Sequence, residues 1–374
     1  MTRFKALPQV SRRLESQLLR TARNCAMALA LPLLTGMAAT STTALAQTNN
    51  AAAPAIRPEV VKLLQASQDA LREGQLDKAL TLAQQAMAMP NISKDERPYV
   101  LRTLAAAAMQ AKNFVLAIST LETLVQELPD TTLPDQRTAL IESILSAAQQ
   151  AQDLERFVKW ARIYLDQGGR NPSVRPVLIQ TLSVLKQHEA VIKEVKVKIK
   201  SDEEYSVNTP EIELRLMAYS QRMLKDDAGY SASLKMLLQR YPSKAYWAEV
   251  IPRVARQANF NIRFDLDLYR LLELTGNMED PTEYTDMANL ALKNGLPAEA
   301  ARVVELAFSS GIFGKGSDVA NQQKLRQQVQ QKLNEDEKAL PALEKSAKDA
   351  NAIASLAEVY ASKKQWELAS TTFT

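Results

Sequence analysis

LLQASQDALREGQLDKALTLAQQAMAMP, residues 63–90, decides how this chain folds. Its small and apolar residues stand at Leu63, Ser67, Ala70, Leu76, Ala79, Ala83 and Ala86, with Gly74 between the two groups and Pro90 after them. Apolar residues three or four apart share one face of a helix. Gly74 breaks that face, the period resumes at Leu76, and proline stops it. The stretch therefore predicts two helices joined by a tight turn. The same skeleton returns six times along the chain: a small residue, an alanine-like one twelve places on, and an apolar one seven beyond that. Ser67, Ala79 and Ala86 set it. Ala105, Ala117 and Leu124 repeat it, as do Ala288, Ala300 and Ala307, and Ala357 with Ala369 opens a last copy.

Larger residues recur around that skeleton: Leu101, Phe114 and Leu121 in the second copy, Tyr284 and Val304 later, Tyr360 and Trp366 in the last. The spacing resembles the tetratricopeptide repeat, a helix–turn–helix unit of about 34 residues. That resemblance implies an all-α fold, a right-handed superhelical solenoid of stacked antiparallel helix pairs. The array is expected over residues 58–374, in about seven to eight pairs with the last one truncated. Clear copies fall at 60–90, 98–130 and 281–312. Weaker ones fall at 138–169, 174–200, 211–242 and 245–276, the last with Pro252 in its first helix. Alanine at positions 79, 117, 300 and 369 is expected where two helices approach closely. Phe114, Leu121, Trp366 and Phe373 are expected to fill the space against the next unit. Ten glycines in 374 residues and no β-branched alternation leave no sheet to expect.

Two stretches stand apart. Lys193, Lys196, Lys198 and Lys200, followed by Ser-Asp-Glu-Glu, read as a solvated helix end and loop. Residues 314–340 are rich in glutamine (Gln322, Gln323, Gln327, Gln328, Gln330, Gln331), with Leu325, Val329 and Leu333 four apart. That pattern predicts a polar helix with a narrow apolar stripe. It is either a solvated helix packed on the array or a helix that binds a partner.

The first 46 residues read as a leader rather than as fold. Six basic residues precede an uncharged run, Ala26 to Leu45, which ends in Ala44-Leu45-Ala46. A basic start, an apolar middle and small residues before the cut mark a secretory signal peptide, with cleavage expected after Ala46. A retained anchor is the alternative, although Pro32 and Gly36 interrupt the apolar run and a spanning helix needs roughly 20 apolar residues. Residues 47–57 read as a flexible lead-in. Six of the 46 Lys+Arg and one of the 42 Asp+Glu lie in the leader, which leaves 40 against 41 in the remainder. A near-neutral body favours neither nucleic acid nor an anionic membrane surface. The one cysteine, Cys25, lies in the leader as well, so the exported body has none. These features predict a periplasmic protein without membrane insertion after cleavage. At the other end the last repeat stops at Thr374 with no polar cap, which reads as a fragment of a longer protein or as a docking face.

Parts for chemistry are scarce. With His188 the sole histidine and no cysteine in the body, zinc sites and Ser-His or Cys-His catalysis have no components. No phosphate-cradling glycine motif occurs. Asp202/Glu203 and Asp336/Glu337 read as surface carboxylates, and His188 as a packed residue at the turn into a second helix. No catalytic residue, metal or cofactor is expected. In repeats of this kind the first helix of each pair lines the concave face. The resemblance thus implies binding through Tyr99, Arg102, Glu142, Arg215, Tyr219, Arg222, Asn289 and Lys293, with Gln68, Arg72, Met109, Gln110, Ser146, Gln149 and Glu358 in the same register. The expected function is a non-catalytic scaffold that holds a protein or peptide segment within a machine of the bacterial envelope. Outer-membrane assembly, polysaccharide export and TonB/ExbB-type energy transduction are the settings it resembles. The alternative is the regulatory or targeting region of a longer protein with an enzymatic domain beyond Thr374. The oligomeric state is not legible.

Overall fold

The computed structural model describes residues 56–129 and 131–372, and no strand occurs among them. The expected signal peptide, 1–46, and lead-in residues 47–55 lie outside the described residues, as does Phe373. Helices come in pairs: α1 (Pro58–Arg72) with α2 (Leu76–Met87), α3 (Arg97–Gln110) with α4 (Phe114–Gln126), and α5 (Pro134–Gln150) with α6 (Leu154–Asp166). Next come α7 (Val174–Val184) with α8 (His188–Glu204), α9 (Glu211–Met223) with α10 (Asp227–Arg240), and α11 (Lys244–Ala255) with α12 (Asp265–Leu274). After α13 (Pro281–Lys293) and α14 (Pro297–Ser309) the single long α15 (Val319–Ser346) intervenes, before α16 (Ala350–Ser362) and α17 (Trp366–Thr372).

One turn makes seven of these pairs, whereas α11 and α12 are joined through residues 256–264 without it. After the first helix a residue adopts left-handed backbone: Gly74 and Gly295 at φ 72° and 73°, and Lys112, Gln152, Lys186, Lys225 and Lys364 at φ 55–58°. The next amide then bonds back across the turn, as in Gln75 N–H to the Ala70 carbonyl at 2.8 Å and Asn113 N–H to that of Ala108 at 2.8 Å. This closure satisfies carbonyls that a helix end leaves open and folds the chain back on itself. The following residue often caps the second helix: the Asn113 and Asp153 side chains accept from Leu116 N–H and Arg156 N–H.

Close approach follows from the small residues. Ser67 Oγ donates to the Ala79 carbonyl at 2.8 Å, which joins the two positions of the skeleton twelve apart in sequence. Ala79, Ala117 and Ala300 are fully buried. A single pair buries too little to stand alone, so stability comes from stacking.

The array divides between Tyr230 and Ser231, inside α10, into two compact units. In the first, each first helix packs on the preceding second helix, and α1 on α3 and α7 on α9 as well. Its interior is held by Ile118, Ile141, Ile144, Leu178, Ile179, Leu182 and Leu214. In the second, Ile251, Leu266, Tyr269, Met287, Val303 and Phe313 form one cluster that takes in Leu325 and Val329 of α15. The glutamine-rich helix is therefore docked on the array, and buried Gln322 accepts from Gly314 N–H at 2.8 Å.

The lead-in does not stay loose to its end. Ile56 packs beside Val60 and Leu64. Arg57 reaches Glu96 through its own N–H (2.9 Å), Nε (2.8 Å) and Nη2 (3.0 Å), and Ser93 N–H adds a fourth bond at 2.9 Å. A carboxylate with this many donors anchors the chain before α1, which the composition of 47–57 did not reveal. The Arg57 guanidinium, then the Ser93 and Arg57 amides, hold the Glu96 carboxyl at about 2. Its stabilising contribution is complete above the ordinary carboxylate value and is lost as pH falls toward 2. In Glu96→Gln, first-turn amides of α1 should exchange faster at neutral pH, and the acid limb of the stability profile should flatten. Unchanged exchange would remove Glu96 from this anchoring role.

Candidate functional site

The side chains expected to bind fall on both units. Tyr99 and Arg102 on α3 are exposed, as are Asn289 and Lys293 on α13 of the second unit. Glu142 on α5 is half-buried and already engaged: its Oε1 accepts from the Tyr164 hydroxyl at 2.5 Å. Arg215, Tyr219 and Arg222 are half-buried together on α9.

Helix α9 explains why those three share a face. Leu214, Leu216, Met217, Ala218, Ser220 and Gln221 are buried. The remaining stripe, Glu211, Arg215, Tyr219 and Arg222, runs at steps of four, four and three residues and stays open. The Arg222 guanidinium lies 5.9 Å from the ring centres of both Tyr219 and Tyr230. Tyr219 in turn meets the His188 ring edge-on at 5.8 Å. Arg215 comes only within 4.0 Å of Glu211, and its buried Nη2 has no hydrogen-bond partner among the described residues. On α7, which packs against α9, the buried Gln180 Oε1 also lacks one. His188 opens α8, with Nδ1 3.3 Å from Ser220 Oγ. Burial and then Lys186 push its pKa down.

Beneath this face, Asp202 differs from the surface reading, whereas Glu203 and Glu337 are exposed as expected. Asp202 is buried and takes Lys198 Nζ on both oxygens at 2.7 and 2.8 Å. The lysine-rich run is not a loop either, because Val191, Val195 and Ile199 carry α8 through it on a buried stripe. Glu213 is 2% exposed, and its Oε2 has no partner among the described residues. Burial raises its carboxyl above the ordinary value, against the opposing pull of Lys198. The stabilising contribution is therefore full below that ordinary value and is lost as pH rises through the raised one. Glu213→Gln should be more stable than the parent at neutral pH, with the difference shrinking in acid. A variant less stable at pH 7 would show that the ionised carboxylate is needed.

The second unit holds a cleft of about 670 Å³. Its floor is a reciprocal pair of forks between α12 and α14. Arg270 Nε and Nη2 donate to Glu299 at 2.8 and 2.6 Å, and Arg302 donates through both terminal nitrogens to Glu273. The carboxylates raise both guanidinium pKa values, so these charges are committed. Glu358, of the expected inner register, lines the rim with Leu274 and Trp366. Trp366, expected to pack, stands 64% exposed. No group of three or more His, Cys, Asp or Glu side chains able to hold a metal ion occurs among the described residues.

No protein-family model and no curated protein matches the sequence. Among solved structures, the complex of the TPR2AB domain of yeast Sti1 with pHSP90 is similar over 72% of this chain and 98% of that one, at 16% identity and a TM-score of 0.38. A tetratricopeptide repeat protein from Parabacteroides merdae is similar over 84% and 100%, at 14% identity and a TM-score of 0.32. With likenesses this loose, the assignment rests on the chain's own geometry. Paired helices, a recurring left-handed turn and small residues at the points of approach make it an all-helical array of antiparallel pairs.

Proposed function

We propose that this protein is a non-catalytic interaction scaffold whose first unit captures an extended segment of a partner protein along α7 and α9. The observation that carries the reading is the half-open face of α9, where Arg215, Tyr219 and Arg222 stand together and the Arg222 guanidinium lies 5.9 Å from the rings of Tyr219 and Tyr230. Tyr and Arg are the side chains that most often anchor interfaces. A bound strand would turn its carbonyls toward the arginines while a side chain lies on the Tyr219 ring. The leader-like residues 1–46 support export to the periplasm with cleavage after Ala46, and no helix among the described residues is long and apolar enough to cross a membrane. In that compartment the scaffold would serve an envelope machine of the outer-membrane assembly, polysaccharide export or TonB/ExbB type.

The test is site-directed photocrosslinking in cells, with the crosslinker at position 219 and, as control, at the exposed Val115. A discrete adduct at 219 alone, lost when Arg215→Ala is added, supports the groove. Equal adducts at both positions, or adducts indifferent to Arg215→Ala, overturn it. Tyr219→Ala with Arg222→Ala should abolish the interaction, whereas His188→Gln should leave it intact.

A further inference from the structure

The outward face of α8 carries a second surface that the groove does not use. Val191, Val195, Ile199 and Asp202 are buried against the neighbouring helices. The opposite side presents Lys193, Lys196 and Lys200, with Val197 between them, all exposed. Spacings of three and four residues place these on one stripe about 10 Å long. None of the three lysines has an ion pair or hydrogen bond among the described residues. Just past the helix end Tyr205 is 78% exposed and Val207 is open as well. Like charges at this spacing weaken a helix, so the stripe costs stability where neutral residues would not. Other second helices do without it: the positions corresponding to Lys193, Lys196 and Lys200 hold Thr81, Gln84 and Ala88 along α2 and its C-cap, Ser119, Glu122 and Gln126 on α4, and Lys159, Arg162 and Asp166 on α6, none with three lysines.

We infer that this face docks a short acidic segment of a partner protein, two or three carboxylates over the lysines and an apolar side chain against Val197 and Tyr205. Charge complementarity selects the acid. The length of the stripe selects a segment rather than a polyanion, because Glu189 brackets it on one side and Glu203 and Glu204 on the other. Membrane surfaces are read by clusters of roughly 4–8 basic residues, and duplex nucleic acid by about 6–10 phosphate contacts. Three lysines between acids fit neither. The stripe is independent of the groove on α7 and α9, so a scaffold with both would hold two partners at once.

The probe is a fluorescent synthetic peptide with glutamate and leucine at helical spacing, and its glutamine counterpart, titrated into the whole protein. The acidic peptide should bind, the glutamine peptide should not, and affinity should fall with added salt. Lys193→Gln with Lys196→Gln and Lys200→Gln should weaken binding roughly tenfold, the sum expected of three exposed ion pairs. Glutamine keeps helix propensity, and circular dichroism checks the fold. Arg215→Ala should leave this peptide's affinity unchanged. If Arg215→Ala abolishes binding and the lysine triple does not, acidic segments go to the groove and this inference fails while the groove stands. Binding to phosphatidylglycerol vesicles in place of the peptide, or no difference between the two peptides, overturns it too.

Discussion

Trp160→Ala should cost the first unit about 3–5 kcal/mol, the range for removing a buried aromatic. The indole lies almost wholly buried on α6, and its Nε1–H donates to Glu122 Oε1 on α4 at 2.7 Å. The Lys159 ammonium sits 5.2 Å from the ring centre and 3.9 Å from the same carboxylate oxygen. Truncation therefore opens a cavity and strips Glu122 of a donor in one step. For a body of this size the thermal midpoint should drop by roughly 6–20 °C. Trp160→Phe keeps most of the volume and should show a smaller loss. Calorimetry decides: a midpoint for Trp160→Ala within a degree of the parent would mean that the two pairs are not bridged here.

Gly169→Ala is expected to be nearly as damaging, although it adds one methyl at a turn. A Cβ at 169 would lie 2.3 Å from Cε1 and Cζ of Tyr164. That ring cannot swing aside, being buried and pinned at its hydroxyl, which donates to Glu142 at 2.5 Å and accepts from Asn171 N–H at 2.8 Å. Overpacking of this kind costs about 1–3 kcal/mol or more. The loss should come with a second sign. Burial, and then the bond to Glu142, raise the Tyr164 phenol, so an ultraviolet pH titration of the variant should show one tyrosine ionising earlier. A stable variant with an unchanged titration would refute the contact.

What the sequence disclosed and what it hid follow from the range of the forces involved. The helix pairs were legible because Ser67, Ala79 and their counterparts carry local packing at fixed spacing, and local spacing is what a sequence displays. The lysine-rich run misled because charge density suggests solvent, whereas lysine and glutamate are good helix formers and Val191, Val195 and Ile199 ride beneath. Arg57 and Glu96 are 39 positions apart, and nothing local connects them. The inner register did bring Arg215, Tyr219 and Arg222 into view. It could not show that Glu142 is engaged by Tyr164, since that depends on how α5 and α6 settle against each other. Trp366 was read from repeat position alone, and it stands exposed.

The left-handed turn has a consequence for how such a chain grows and changes. Because it closes through main-chain bonds, its side chain is nearly irrelevant: glycine, lysine and glutamine all occupy it. Seven of the hairpins thus share a joint that makes little demand on sequence. A gene encoding the chain can lose, gain or duplicate one such hairpin without having to reinvent a joint, and copies can drift until little but the joint still betrays their common origin.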